Sequence, residues 1–273
     1  MTDLASNRLV RAFAELRSAG RKTLVPFLTA GYPDLATTRA LLEDFEARGV
    51  RVAELGIPFS DPIADGPVIQ SSYTEVLAGG QRTDQVLEMV RQYRSGGGKL
   101  GLAAMVSFSI VFRHGVQRFL DQCSQAGVDA VLIPDLPLNE AGEVEKLARS
   151  KGLANIMLIA PTTPPARRLE IARHSTGFVY YVSIAGITGE RDRLPEATLA
   201  AVAELRTHVD LPICVGFGVS NAATVADVCR AGDGAIVGSA IVHRIQQHKD
   251  LPRAELVAKV GAFVSELLAP VLG

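Results

Sequence analysis

A closed (β/α)₈ barrel, the TIM-barrel class, with additional N- and C-terminal helices is the fold this sequence predicts, and three observations predict it. Eight apolar, strand-like runs recur along the chain with amphipathic, helix-like stretches between them. The runs are apolar nearly throughout rather than alternating, as in a parallel sheet covered on both faces. The length, 273 residues with 48% hydrophobic, suits one closed α/β barrel better than an open doubly wound sheet.

The predicted strands are 23–30 (TLVPFLTA), 50–55 (VRVAEL), 100–106 (LGLAAMV), 129–134 (DAVLIP), 154–161 (ANIMLIAP), 177–183 (GFVYYVS), 211–217 (LPICVGF) and 234–239 (GAIVGS). Amphipathic segments such as TTRALLEDFEARG, DQVLEMVRQYR and AGEVEKLARSKG lie between them, and Gly49, Gly127, Gly152 and Gly232 stand where helices stop. Helices are expected at 3–19 and 253–268. The second carries a stripe (Leu256, Val260, Phe263, Val264, Leu267) that should pack on the barrel wall. Gly96-Gly97-Gly98 reads as a connector inside a single barrel domain, 1–273.

Composition excludes several classes. The net charge is −1, no basic block occurs and there is no Trp, so no nucleic-acid footprint is present. Acidic and basic residues are mixed through MTDLASNRLVRAFAEL, which fits neither a signal nor a transit peptide. No apolar run approaches the roughly 20 residues that span a bilayer. Three cysteines without CxxC spacing read as reduced thiols of a cytoplasmic protein.

In barrels of this kind chemistry sits at the C-terminal ends of the strands. Val50, Val52 and Glu54 share one strand face, so Glu54 is expected to point inward at the rim of a dry core. Burial there raises a carboxyl's pKa and suits it to proton transfer near neutrality. The following loop, GIPFSDPIADGP, adds Asp61 and Asp65 and is stiffened by Pro58, Pro62 and Pro67. A strand-end Glu can instead be held in a structural ion pair, and the other strand ends weigh against that reading. Tyr180 and Ser183 end strand six, and the long charged loop at 185–195 resembles a lid. GFGVS (216–220) and GS (238–239) each open a helix after strands seven and eight, forming a backbone anion site to which Ser239 and Ser220 can add hydroxyls. Phe27, Ile69, Leu132 and Leu158 supply an apolar lining.

The inventory also removes mechanisms. All six lysines fall before strands or in helices, so none is placed for a Schiff base. The five histidines are scattered through helical segments and read as surface residues. A GxGxxG fingerprint is absent, and Cys214 lies within a strand as a packing residue. What remains suits acid/base cleavage or isomerisation of a half-aromatic phosphate ester.

PFLTAGYPD, ELGIPFSDPIADGPVIQ, IPDLP, APTTP, AGITGER, VGFGVS and IVGSAIV follow one another across nearly the whole chain. Together they closely resemble the α subunit of tryptophan synthase. The resemblance implies a lyase of tryptophan biosynthesis that cleaves indole-3-glycerol phosphate to indole and glyceraldehyde 3-phosphate, a retro-aldol step without cofactor. It assigns Glu54 as catalytic acid/base, Asp65 as the carboxylate for the indole N–H, and Tyr180 as the neighbour of Glu54. Thr188 becomes the lid threonine, and Gly189, Gly218, Gly238 and Ser239 become the phosphate cradle. It also implies an α₂β₂ complex in which pyridoxal phosphate belongs to the partner β subunit alone. Two departures stand out: Val106-Ser107-Phe108-Ser109, where many relatives carry an aromatic and an Asn, and Phe178, where some carry a tyrosine. The first implies a differently shaped or wetter indole pocket, and the second a missing hydroxyl near substrate. A stand-alone indole-3-glycerol phosphate lyase, a catalytically weak allosteric or binding barrel, and another phosphate-binding barrel are the competing readings.

Overall fold

The computed structural model describes residues 4–62, 65–183, 196–216 and 218–272. Eight parallel strands close in sequence order into a barrel: β1 (Thr23–Thr29), β2 (Val52–Gly56), β3 (Gly101–Met105), β4 (Ala130–Leu132), β5 (Ala154–Ile159), β6 (Val179–Val182), β7 (Ile213–Gly216) and β8 (Gly234–Val237). Each overlaps its predicted run. The helices are α1 (Arg8–Ser18), α2 (Leu35–Ala47), α3 (Pro67–Ala78), α4 (Thr83–Ser95), α5 (Phe108–His114), α6 (Val116–Ala126), α7 (Leu138–Ser150), α8 (Pro165–Arg173), α9 (Glu196–Arg206), α10 (Ala222–Ala231), α11 (Ser239–His248) and α12 (Arg253–Leu272).

The strands are apolar on both faces because both are covered. Inward residues such as Val25, Val52, Ala130, Ile156, Cys214 and Ile236 fill the barrel, while the outward set packs under the helical layer. α12 buries Leu256, Val260, Val264 and Leu267 against α2, α10, α11 and β1, and it runs on to Leu272, past the predicted end at 268. Among the helix-ending glycines, Gly49, Gly127 and Gly152 have positive φ. Gly232 ends α10 in extended conformation instead, and a Cβ there would meet the Ile213 carbonyl at 2.9 Å.

α1 seals the N-terminal mouth of the barrel. Leu9 and Phe13 enter the inner core, and Leu9 lies so close to Gly101 that a Cβ there would sit 2.6 Å from the Leu9 Cα. Asn7 caps α1 by accepting from the Leu9 and Val10 N–H groups, while its amide donates to the carbonyls of Asp129 (2.7 Å) and Gly152 (2.8 Å). The Asp129 carboxylate accepts from Arg94 Nη2 at 2.7 Å and from the Leu102 N–H at 2.9 Å.

Phe178 belongs to this sealed end. It precedes β6, is fully buried, and stacks at a tilt on Phe13 with ring centroids 5.4 Å apart. The expected missing hydroxyl near substrate is therefore corrected: β6 runs away from Phe178, so that ring is at the opposite end from the strand C-termini. Among the described residues, no helix is long and apolar enough to cross a membrane.

Candidate active site

β2 delivers Glu54 to the open end. The strand alternates faces, so Glu54 follows Val52 into the barrel, between Phe27 of β1 and Ala103 of β3 in register. Glu54 is 1% exposed, and among the described residues neither carboxyl oxygen has a hydrogen-bond partner. Loss of water, and next the charge of Asp65, push its pKa up to about 8. Among the described residues no arginine pairs with it, so the structural ion-pair reading does not describe the site they form.

Asp65 stands in the turn that starts α3, just before the N-cap Gly66 and Pro67 at the first helical position. The Gln70 amide donates back to the Asp65 carbonyl at 2.7 Å, tying the turn to the helix. The residue is half-buried, and desolvation pushes its carboxyl up to about 7. Two acids with raised pKa values share about one charge at neutral pH.

Two tyrosines flank the pair. Burial first, then the charges of Glu54 and Asp65, hold the Tyr180 hydroxyl far above its ordinary pKa, so it stays protonated. Gly216 on the adjacent strand makes room, since a Cβ there would fall 2.2 Å from the Tyr180 oxygen. Tyr73 on α3 is buried too, and burial, Asp65 and Glu54 raise it likewise. Sequence reasoning missed Tyr73 because it took Ile69 alone from α3. The available signal was its i,i+4 spacing from Ile69 on the face of α3 turned to the barrel.

One cavity of about 280 Å³ brings most of the expected residues together: Phe27, Glu54, Asp65, Ile69, Leu158, Tyr180, Gly218, Gly238 and Ser239 all line it, with Met105, Pro134, Ser220 and His243. Leu132 does not line it and is sealed, with no exposure, in the inner cluster beside Tyr180 and Ile236. Thr188 and Gly189 lie outside the described residues. His243 was read as a surface residue; it is exposed, and it also lines this cavity.

The two helix-opening turns differ. Gly218 has φ +75°, which needs glycine, and α10 caps itself: Asn221 accepts from the Thr224 N–H at 2.9 Å, and Thr224 Oγ1 accepts from the Ser220 and Asn221 N–H groups at 3.1 Å. α11 starts after Gly238 with no side-chain cap; the Ile241 N–H donates to the Gly238 carbonyl at 2.9 Å, while Ser239 and Ala240, the first two residues of the helix, line the cavity.

A second cavity of about 330 Å³ adjoins the first across Asp65, Met105 and Pro134 and is lined by Phe59, Asp61, Tyr73, Ser107, Ser109 and Asp135. Ser107 Oγ donates to Asp135 at 2.8 Å, and the Phe108 N–H donates to the same carboxylate at 2.7 Å. The serines at the departure after β3 thus shape this side cavity and not the wall of the first.

The family model described as tryptophan synthase alpha chain matches residues 13–269. The chain belongs to the tryptophan synthase alpha chain family. A tryptophan synthase alpha chain of Citrifermentans bemidjiense is 42% identical over 97% of this chain and 98% of its own length, and one of Chloroflexus aggregans is 41% identical over 96% and 97%. Among solved structures, the tryptophan synthase subunit alpha of Legionella pneumophila superposes with a TM-score of 0.87 at 33% identity, covering 97% of this chain and 98% of that one. A structure of Mycobacterium tuberculosis tryptophan synthase gives 0.86 at 32% identity, covering 97% and 98%. Tryptophan synthase alpha chains are lyases of tryptophan biosynthesis that cleave indole-3-glycerol phosphate, and this chain is a lyase of that family.

Proposed function

We propose that Glu54, Asp65 and Tyr180 carry out the cleavage, and one observation carries the reading: a buried carboxyl without a hydrogen-bond partner faces a second raised-pKa acid in one cavity. At neutral pH Glu54 holds its proton. It protonates C3 of the indole ring, making an indolenine whose cationic N–H lies against the Asp65 carboxylate. The Glu54 carboxylate then takes the proton of the carbinol hydroxyl. The C–C bond breaks, its electron pair returns to the ring to restore indole, and the carbinol becomes the aldehyde of glyceraldehyde 3-phosphate. Glu54 ends as it began, with Tyr180 as a protonated donor beside it. Phe27, Ile69 and Leu158 enclose the ring. Gly218, Gly238 and Ser239 hold the phosphate, joined by Thr188 and Gly189 from the loop, and Leu132 supports the lining from below.

The cycle uses protons alone, so the chain, acting as a single barrel domain in the cytoplasm, needs no cofactor. Pyridoxal phosphate belongs to a β subunit, with which it forms an α₂β₂ complex. The docking rim is that of Pro58, Asp61 and the 133–137 loop. Phe112 on α5 is 72% exposed and packs on Phe108 beside this rim, an aromatic pair suited to a protein partner. The side cavity places space between Asp65 and that rim, along which indole can pass to the partner.

Indole release by the purified chain, measured with and without a tryptophan synthase β subunit, tests the proposal. Release should rise at least about tenfold on adding β, roughly 1.4 kcal/mol of coupling. Full activity in the chain alone, unchanged by β, would establish the stand-alone lyase instead.

A further inference from the structure

Among the described residues lining the main cavity, His243 is the one side chain able to carry a positive charge. Every other ionisable group there is an acid or a tyrosine. A phosphate dianion entering this cavity meets two carboxyl groups at one end and needs charge compensation at the other. The backbone N–H groups at a helix start supply the equivalent of about half a charge, which falls short of a dianion's demand.

We infer that His243 is the cationic anchor of the substrate phosphate, acting together with the uncapped start of α11; the inference rests on the phosphate site proposed above. His243 follows Ser239 by four residues in α11, so both occupy one helix face. Gly238, Ser239 and His243 line the same cavity, and the usual lean of helix side chains toward the N-terminus favours a ring position near the Gly238–Ser239 turn. The His243 Nε2 lies 3.0 Å from the Gln247 amide nitrogen and accepts from it while the ring is neutral. When the ring gains a proton on phosphate entry, the Gln247 amide turns over so that its Oε1 accepts from Nε2–H, and Nδ1–H is left for the phosphate. No acidic side chain within the described residues forms an ion pair with the ring.

Steady-state cleavage by wild type, His243→Gln and His243→Lys, each with saturating β subunit, tests this role. His243→Gln should raise KM for indole-3-glycerol phosphate roughly tenfold, with kcat within about twofold, because the contact is to a non-reacting group present in both ground and transition states. His243→Lys should return KM to within about threefold of wild type, since a point charge also serves a phosphate. Indole-3-glycerol, which lacks the phosphate, should be handled equally by wild type and His243→Gln. A KM for His243→Gln within twofold of wild type, an equal loss on the phosphate-free substrate, or a Lys variant no better than Gln would each overturn the inference. Competition by glycerol 3-phosphate separates it from the reading beneath. If that ester fails to inhibit wild type, the phosphate site itself falls. If it inhibits wild type and His243→Gln equally, only the role of His243 does.

Discussion

At the scale of single residues, dehydration makes Glu54 an acid at neutral pH. A carboxyl in water would be ionised and unable to protonate a weakly basic ring carbon, whereas one buried without partners keeps its proton to about pH 8. Cleavage needs Glu54 protonated and Asp65 ionised, and Asp65 titrates near 7. The profile of kcat/KM should therefore fall on the alkaline side beyond about 8 and on the acid side below about 7, both limbs belonging to the pair. A profile flat from pH 6 to 9 would contradict the assignment. The same shift acts on stability. The folded pKa is above the ordinary 4.5, so the stabilisation by the bound proton is full below 4.5 and is lost as pH rises through about 8. Glu54→Gln cannot lose that proton, so its melting temperature should exceed wild type by roughly 5 °C or more at pH 9, with a smaller gap at pH 5. A gap independent of pH would contradict the burial account. Asp65→Asn removes the counter-charge of the indolenine and should cost about 10²-fold or more in turnover, measured as indole release.

At the scale of elements, the turns after β7 and β8 look alike in sequence and differ in structure. The turn into α10 spends its donors on the Asn221 and Thr224 side chains, while α11 starts without a side-chain cap. Gly238→Ala places a Cβ at ordinary contact distance from Phe27 and Ile69, 3.6 and 3.5 Å, so the fold should change little. The same methyl group narrows the anion's approach, and KM should rise about tenfold or more. Gly218→Val is different, because a β-branched residue at φ +75° strains the backbone, and it should lower both stability and affinity. Thermal melts beside KM values for the two variants decide this, and an unchanged KM for Gly238→Ala would place the phosphate elsewhere. At the far end of the barrel, Asp129→Ala takes the acceptor from Arg94 Nη2 and the Leu102 N–H and the counter-charge from Arg94 and Arg8, and should cost about 3 kcal/mol in denaturant unfolding, without a change in KM.

Much of this was legible in the sequence, for stated reasons. Strand period and strand end locate Glu54, Tyr180 and the glycine turns, because in a parallel barrel those two facts determine face and depth. Tyr73, on the side cavity, and His243, on the main one, escaped because they reach these walls from helices, where facing depends on how each helix docks. Phe178 was assigned to the wrong end because one residue at a strand's start is far in space from one at its finish. Thr188 and Gly189 rest on the family resemblance alone.

At the scale of the whole molecule, the barrel has one closed end and one open end. Leu9 and Phe13 plug the first, so the cavity holding Glu54 opens at the second. The exposed Phe112 and the prolines at 58 and 62 lie on that side, and Phe112→Ser should weaken activation by a β subunit about tenfold with little effect on the isolated chain. Titration of indole release against β concentration reads this directly. The central claim, that a single dry carboxyl passes one proton to the ring and takes another from the hydroxyl, is tested most directly by Glu54→Gln. The variant keeps shape and loses the relay. With β subunit present, and with substrate binding retained, its turnover of indole-3-glycerol phosphate should fall by about 10² to 10⁴. A folded Glu54→Gln chain that keeps more than about a tenth of wild-type turnover would contradict the claim and move the acid/base role to another residue.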